Sequence, residues 1–245
     1  MLKVHTMLQA KGGVGKSTCA ALLAQYLKDH RDRPALCLDT DPSNKTFTAW
    51  RSLGVKHIDI AVAGDLEKSR FDLVIGEIAG ADCDTVIDNG ASGFIPITSY
   101  MASNDIGLVL KGMERELILH TVVVGGEAHQ DTMDGLRFVA GTFKASPVVA
   151  WLNPMNGPID RVAFDKELAE AGLSERVLVI ALPDFGGPQA TTFGRDFDAV
   201  LQAKQTFKDG RVARKSEIMV AHRLGMMESR IFGLLDEVLA AHELV

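Results

Sequence analysis

The sequence predicts an α/β fold: a mostly parallel, twisted sheet with helices on both faces, in a single domain. Three observations carry that prediction. Short apolar runs of strand length alternate with amphipathic helical patterns along the whole chain, as expected of βα units. The first run leads straight into a glycine-rich loop that opens a helix. The 245 residues are 47% hydrophobic and 24% charged, ordinary usage for a globular chain whose core needs no disulfide or metal staple. No repeat, low-complexity segment or linker divides them.

Each element has a local cause. Leu2 to Leu8 reads as the first strand, and a helix starts near Gly15 and runs toward His30, burying Ala20, Leu23 and Leu27. Pro34 punctuates before a second strand, Ala35 to Asp39. A helix from about Thr46 to Leu53, a strand around His57 to Val62 and a helix from about Ser69 to Gly80 lead to the buried strand Thr85 to Asp88. A helical stretch around Thr98 to Glu114 precedes a strand, Leu117 to Val124, ended by Gly125 and Gly126. Helix (about Asp131 to Thr142), strand (Val148 to Leu152), helix (Lys166 to Ala171) and strand (Val177 to Leu182) follow. The chain ends in two or three helices, about residues 195–245, expected to pack on the same domain. Their stripe Ile231, Leu234, Leu235, Val238 and Leu239 has core spacing.

Charge and cysteine usage exclude several classes. A net charge of −6 leaves no uniformly basic surface, so contact with nucleic acid would need a local patch. Cys19, Cys37 and Cys83 show no Cys-x-x-Cys pairing, so neither a disulfide framework nor a zinc site is written. They fit a reducing compartment. With no signal-peptide pattern and no apolar run approaching the ~18 to 20 residues of a membrane span, a cytoplasmic protein is expected.

The strongest motif is Lys11-Gly12-Gly13-Val14-Gly15-Lys16-Ser17-Thr18 between the first strand and helix. Glycines let backbone N–H groups turn inward around a triphosphate, and the helix N-terminus adds partial positive charge. Lys16 is placed for the β- and γ-phosphates, the Ser17 hydroxyl for magnesium, and Thr18 for the α-phosphate. A dinucleotide-binding turn fits less well. Asp39 stands about where a ribose-binding acid would, but the third glycine of G-x-G-x-x-G is replaced by Thr18.

Ala10 occupies the usual first-glycine position and Lys11 follows it. The loop thereby resembles the deviant Walker A signature of the ParA/MinD family, which also includes nitrogenase iron protein and arsenite-pump ATPases. The resemblance implies an ATP- and magnesium-dependent ATPase that dimerises when ATP is bound. Lys11 would touch the nucleotide of the partner subunit, as an arginine finger does. It also implies roles for acids at strand ends. Asp39-Thr40-Asp41-Pro42 is similar to the family's switch I segment, so Asp41 would position the attacking water and Asp39 would support the magnesium shell. Val86-Ile87-Asp88 matches a Walker B strand, with Asp88 bonding a magnesium water, and Gly90 resembles the switch II glycine that meets the γ-phosphate. Asn153-Pro154 and Pro183-Asp184 look like the family's adenine-contacting features. No Asn-Lys-x-Asp follows a late strand, which disfavours GTP. Cys83 and its fellows do not match the cluster ligands of nitrogenase iron protein, which disfavours electron transfer.

A narrower resemblance is to the TraL family of conjugal-transfer proteins of broad-host-range plasmids. It is carried by Lys3-Val4-His5, Leu38 to Pro42, Val86 to Ser92, His120-Thr121-Val122-Val123, Trp151 to Pro154 and Gly194-Arg195-Asp196-Phe197. It implies a role in plasmid mobilisation, with a conjugation or partition protein as partner. Partition relatives bind DNA through basic residues near the C-terminus. Here Lys204, Lys208, Arg211, Arg214 and Lys215 lie close together, either as a phosphate-contacting patch or as a solvated helix face. The acids of the last helix, Glu228, Asp236, Glu237 and Glu243, do not suit anionic lipid. Two alternatives to the ATPase switch stay open: a nucleotide-gated DNA or protein adaptor with little turnover, and a small-molecule kinase or ligase.

Overall fold

The computed structural model describes residues 1–62, 65–186 and 191–245. Its centre is a seven-stranded, all-parallel sheet built from β1 (Leu2–Met7), β2 (Ala35–Asp39), β3 (Lys56–His57), β6 (Asp84–Asp88), β7 (Arg115–Val124), β8 (Val148–Asn153) and β9 (Val177–Ala181). The spatial order is β3-β2-β6-β1-β7-β8-β9, and the short strands β4 (Ala61–Val62) and β5 (Asp65–Leu66) form a separate antiparallel hairpin. The helices are α1 (Lys16–Gln25), α2 (Phe71–Gly80), α3 (Phe94–Ser103), α4 (Ile106–Gly112), α5 (His129–Thr142) and α6 (Arg161–Glu170). They are followed by α7 (Thr192–Gln202), α8 (Phe207–Ala213) and α9 (Ile218–Leu235).

Parallel strands covered on both faces must be apolar on both faces, and the central strands are. From β7, Leu117, Leu119 and Val123 enter the core beneath α2 to α6, while Ile118, Val122 and Val124 enter the core beneath α1 and α7 to α9. The chain runs from β1 toward β2 on one side of the sheet, then returns across β6 to β7 on the other. The loop after β1 therefore sits at the topological switch point, where a crevice opens beyond the strands' carboxyl ends.

Several expectations are corrected in detail. The segment Thr46 to Leu53 forms two 3₁₀ turns, Phe47–Ala49 and Arg51–Leu53, interrupted at Trp50 (φ −76°, ψ 79°) and closed by left-handed Gly54. Burial of Phe47, Trp50 and Leu53 outweighs helical continuity there. The expected strand His57 to Val62 divides between β3 and β4. The stretch Thr98 to Glu114 divides at Asp105, which is left-handed (φ 46°), and α3 begins earlier, with Pro96 in its first turn where no amide is needed. Likewise α6 starts at Arg161, because the Asp160 carboxylate accepts from Val162 N and Ala163 N as an N-cap. Both α1 and α9 run on into single π-turns, Tyr26–His30 and Asp236–Ala240. These are fastened together at Asp236, which accepts from Tyr26 Oη (2.8 Å) and His30 Nε2 (2.7 Å).

One buried polar chain crosses the sheet beneath α1. Trp151 Nε1 donates to His120 Nδ1 (2.9 Å), which leaves the His120 proton on Nε2 to be donated to His5 Nδ1 (3.0 Å). The His5 Nε2 atom then has neither partner nor solvent. Burial holds both rings neutral. It pushes His5 down to about 3, with Lys3 and Arg33 adding to the effect, and holds His120 well below the usual imidazole range. Unfolded histidines protonate below about pH 6.5, so below that pH the unfolded state binds more protons and stability falls. Each ring contributes a slope of up to about 1.4 kcal/mol per pH unit between about pH 6.5 and 4. Thermal melts across that range should show a steeper loss of Tm for the natural chain than for His5→Asn; equal slopes would contradict this account.

Candidate functional site

The phosphate loop leaves β1 with a sharply turned backbone. Gly13 (φ 73°) and Gly15 (φ 94°) adopt the left-handed region that a β-carbon disfavours. Gly15 is also the N-cap of α1 and offers no side-chain cap, so the first-turn N–H groups are left for an anion. A β-carbon on Gly15 would collide with the Asn153 carboxamide. Val14 packs inward, while Gly12 and Gly13 are exposed on the rim.

Lys16 folds back over the loop, its Nζ donating to the Lys11 carbonyl at 3.1 Å. Burial lowers its pKa, opposed by the nearby carboxylates of Asp88 and Asp41. The Ser17 hydroxyl stands beside the Asp88 carboxylate and favours its charged form. That carboxylate is buried at the end of β6, and its Oδ1 has no partner. Burial raises its pKa to about 7; Ser17 works against the rise and Asp39 adds to it.

The acidic segment after β2 is equally ordered. Asp39 is fully buried; its Oδ1 accepts from Asp41 N (3.0 Å) and its Oδ2 from Thr48 N and Thr48 Oγ1 (both 3.0 Å). Its carboxylate is therefore spent on shaping the segment that carries Asp41. Asp41 Oδ1 accepts from Ser43 N (2.9 Å) and Asn44 N (3.0 Å), and the carboxylate lies directly over Gly90. A β-carbon at Gly90 would stand 2.6 Å from Asp41 Cγ. The structure thus brings together Lys16, Ser17, Asp39, Asp41, Asp88 and Gly90. Among the described residues, no group of three or more His, Cys, Asp or Glu side chains forms a metal cage by itself. A hydroxyl and a carboxylate at the loop suit magnesium, which keeps several waters and takes its remaining ligands from phosphate.

Beside the phosphate loop, a cavity of about 390 Å³ is lined by Thr18, Asn153, Pro154, Pro183, Asp184 and Phe185, with Gly194 and Phe197 of α7 closing it. Asn153 Nδ2 donates to Val14 O (3.0 Å), so this residue ties β8 to the phosphate loop. Asp184 Oδ1 accepts from Gly186 N (2.7 Å).

Lys11 lies apart from this cluster. Its Nζ pairs with Asp131 in the first turn of α5, at 2.7 Å, with both side chains about half exposed. The basic residues near the C-terminus do not form a free patch. Lys204 lies over the Trp50 ring (4.4 Å), Lys208 pairs with Asp29 (3.6 Å), Arg211 pairs with Glu228, and Arg214 donates to Gln205 Oε1 (3.0 Å).

Two residues to which the motifs assigned no role, Gln9 and Asn89, hold the site in shape. The buried Gln9 carboxamide donates to Thr121 Oγ1 (3.1 Å), Val122 O (3.0 Å) and Thr132 O (3.0 Å), and its oxygen faces Lys11 N (3.4 Å). A β-carbon at Gly135 of α5 would occupy that carboxamide's place. Asn89 donates to Thr6 Oγ1 (2.7 Å) and Met7 O (2.9 Å) and accepts from Thr40 Oγ1 (2.8 Å), stitching the ends of β1, β2 and β6. Gln9 stands two residues before Lys11, and Asn89 follows the strand-end Asp88 within the Val86 to Ser92 segment; those positions were the sequence signals for them.

A parallel sheet with a phosphate-binding loop at its switch point and acids on the neighbouring strand ends defines a nucleotide-binding P-loop protein. Residues 6–179 match the CobQ/CobB/MinD/ParA nucleotide-binding domain, and the chain belongs to that family. Closer in sequence, it is 39% identical over 237 residues to Protein TraL of Escherichia coli, covering 96% of this chain and 98% of the relative. Solved structures share the fold at low identity. A ParA family ATPase from Chlorobium tepidum TLS superposes with a TM-score of 0.51 at 17% identity, covering 93% of this chain and 97% of that one. A plasmid partition protein from Borrelia burgdorferi gives 0.51 at 14%, covering 82% and 96%.

The unmet oxygen of Asp88 yields a paired outcome. Asp88→Asn removes a buried charge that the free protein holds at a cost, so Tm should rise in calorimetry while fluorescent-nucleotide binding weakens. A lowered Tm would mean that the carboxylate is already satisfied without ligand. Gly90→Ala should displace Asp41, and fluorescent-nucleotide titration should show binding kept while any phosphate release that the natural chain catalyses falls at least about tenfold.

Proposed function

We propose that this chain is an ATP-binding, magnesium-dependent ATPase acting as a nucleotide-driven dimeric switch in plasmid conjugal DNA transfer. The observation that carries the reading is the division of labour between two lysines. Lys16 fills the cradle of its own loop, whereas Lys11 stands on the rim, half exposed and engaged only with Asp131. A cation placed there neutralises charge on a phosphate presented from outside, by a second copy of the chain. The similarity to Protein TraL supports a conjugation role, and a cytoplasmic setting belongs to the same reading.

In this reading the N–H groups of Gly13 to Thr18 and Lys16 bind the triphosphate, and Thr18 faces the α-phosphate. Asn153, Pro183 and Asp184 border the cavity for the base. Magnesium, held by Ser17 and through water by Asp88, supplies positive charge between the terminal phosphates. Asp41 orients the attacking water, Asp39 fixes Asp41, and Gly90 leaves room for both the carboxylate and the γ-phosphate. The Lys11–Asp131 pair keeps the free protomer's lysine at home until ATP offers a stronger anion. Four of the five cations of the DNA-adaptor reading have contacts within the chain, Lys208 only through a loose and exposed pair, and no specific observation favours that reading. No specific observation favours the kinase or ligase reading.

Turnover of the purified protein tests the roles directly. Lys11→Ala and Asp41→Ala should each lower ATP hydrolysis at least about 10²-fold, and hydrolysis that persists in both would overturn them. The latch is tested separately. An exposed ion pair is worth about 0 to 1 kcal/mol, so Asp131→Ala should let ATP-dependent dimers form at about two- to fivefold lower protein concentration in analytical ultracentrifugation. Unchanged or weaker dimerisation would rule the latch out.

A further inference from the structure

The amino-terminal edge of the sheet, opposite the phosphate loop, holds a second cavity of about 460 Å³, well within the size of small-molecule sites. Its apolar lining comes from Met101 and Ile106 of the α3–α4 corner, Leu117 of β7 and Phe143 beyond α5. Three cations share the lining: Lys111 of α4, Lys144 of the turn before β8, and Arg115 at the start of β7.

Arg115 has an unusual environment. It is 5% exposed. One terminal nitrogen donates to the Ala81 carbonyl, while Nε and Nη1 have neither a hydrogen-bond partner nor solvent. A guanidinium cannot shed its charge as a lysine or carboxylate can, so leaving it buried and unpaired carries a large cost. The acids nearby do not discharge it. Glu116 is paired with Lys3 (2.6 Å), and Asp105 is an exposed residue of the α3–α4 corner. Neither Lys111 nor Lys144 has an ion-pair partner among the described residues. The cavity therefore combines an apolar floor with a net excess of positive charge, one element of which is buried and short of acceptors.

We propose that this cavity is a binding site for a small organic anion, with a carboxylate or phosphate head meeting Lys111 and Lys144 over the positive charge of the buried Arg115, and an apolar body lying on Met101, Ile106, Leu117 and Phe143. The two exposed ammonium groups pair with the head, and the buried guanidinium behind them adds to the field that draws an anion in. The site is independent of the nucleotide reading, since it lies at the other end of every strand it touches.

Isothermal titration calorimetry with decanoate and decyl phosphate as probes tests the proposal, with acetate supplying a head without a body and decanol a body without a head. Saturable one-to-one binding of at least one charged probe is expected, with acetate and decanol at least about tenfold weaker. The surface double variant Lys111→Glu/Lys144→Glu should weaken that binding at least about tenfold at unchanged Tm, and Arg115→Gln should do the same where it folds. Preference between the two charged probes assigns the head. Absence of saturable binding by the natural chain at millimolar probe, equal binding of decanol, or binding unchanged in the lysine double variant would each overturn the proposal.

Discussion

Asp88 is buried where three strands end, with one oxygen unmet, and the rest of the site is arranged around it. A carboxylate in that position is tolerable only because Ser17 and Lys16 stand close by. Its presence obliges the loop after β1 to approach β6 closely. That approach depends on Asn89, which bridges the ends of β1 and β2. The residual cost is stored at the one place where a divalent cation and a polyphosphate would relieve it. Local instability at a binding site of this sort is the ordinary counterpart of a well-packed sheet elsewhere.

The strands and the loop were legible in the sequence because their signals are local. Ala35 to Asp39 is a strand in both readings, and the glycines of the loop encode its backbone conformation directly. Elements whose form depends on distant partners were not legible. Thr46 to Leu53 has helical spacing but becomes two 3₁₀ turns, since Phe47 and Trp50 must both reach the core. The early start of α6 needed Asp160 to be read as a cap. Among site residues, Lys16, Ser17, Asp39, Asp41, Asp88 and Gly90 come together, whereas Lys11 lies apart. Asp131, however, finds Lys11 across 120 residues, and no pattern along the chain announces such a pair.

The segments that nucleotide binding did not explain acquire physical roles when placed in the fold. His5, His120 and Trp151 belong to one hydrogen-bonded chain beneath α1. Thr121 and Val122 receive the Gln9 carboxamide, and Gly194 and Phe197 close the cavity beside the phosphate loop. They position the loop and shape its surroundings from behind.

Gly135 illustrates how far that positioning reaches. It sits in the middle of α5, where an alanine would ordinarily improve the helix, yet the space over its α-carbon belongs to Gln9. The two positions are therefore bound in their histories. A side chain gained at 135 must push the residue 9 carboxamide from its place or follow a smaller residue there, and either way the bonds that steady the phosphate loop are given up. The helix thus pays in its own propensity for a loop more than a hundred positions away, and drift at either site is confined to steps that the other has already allowed.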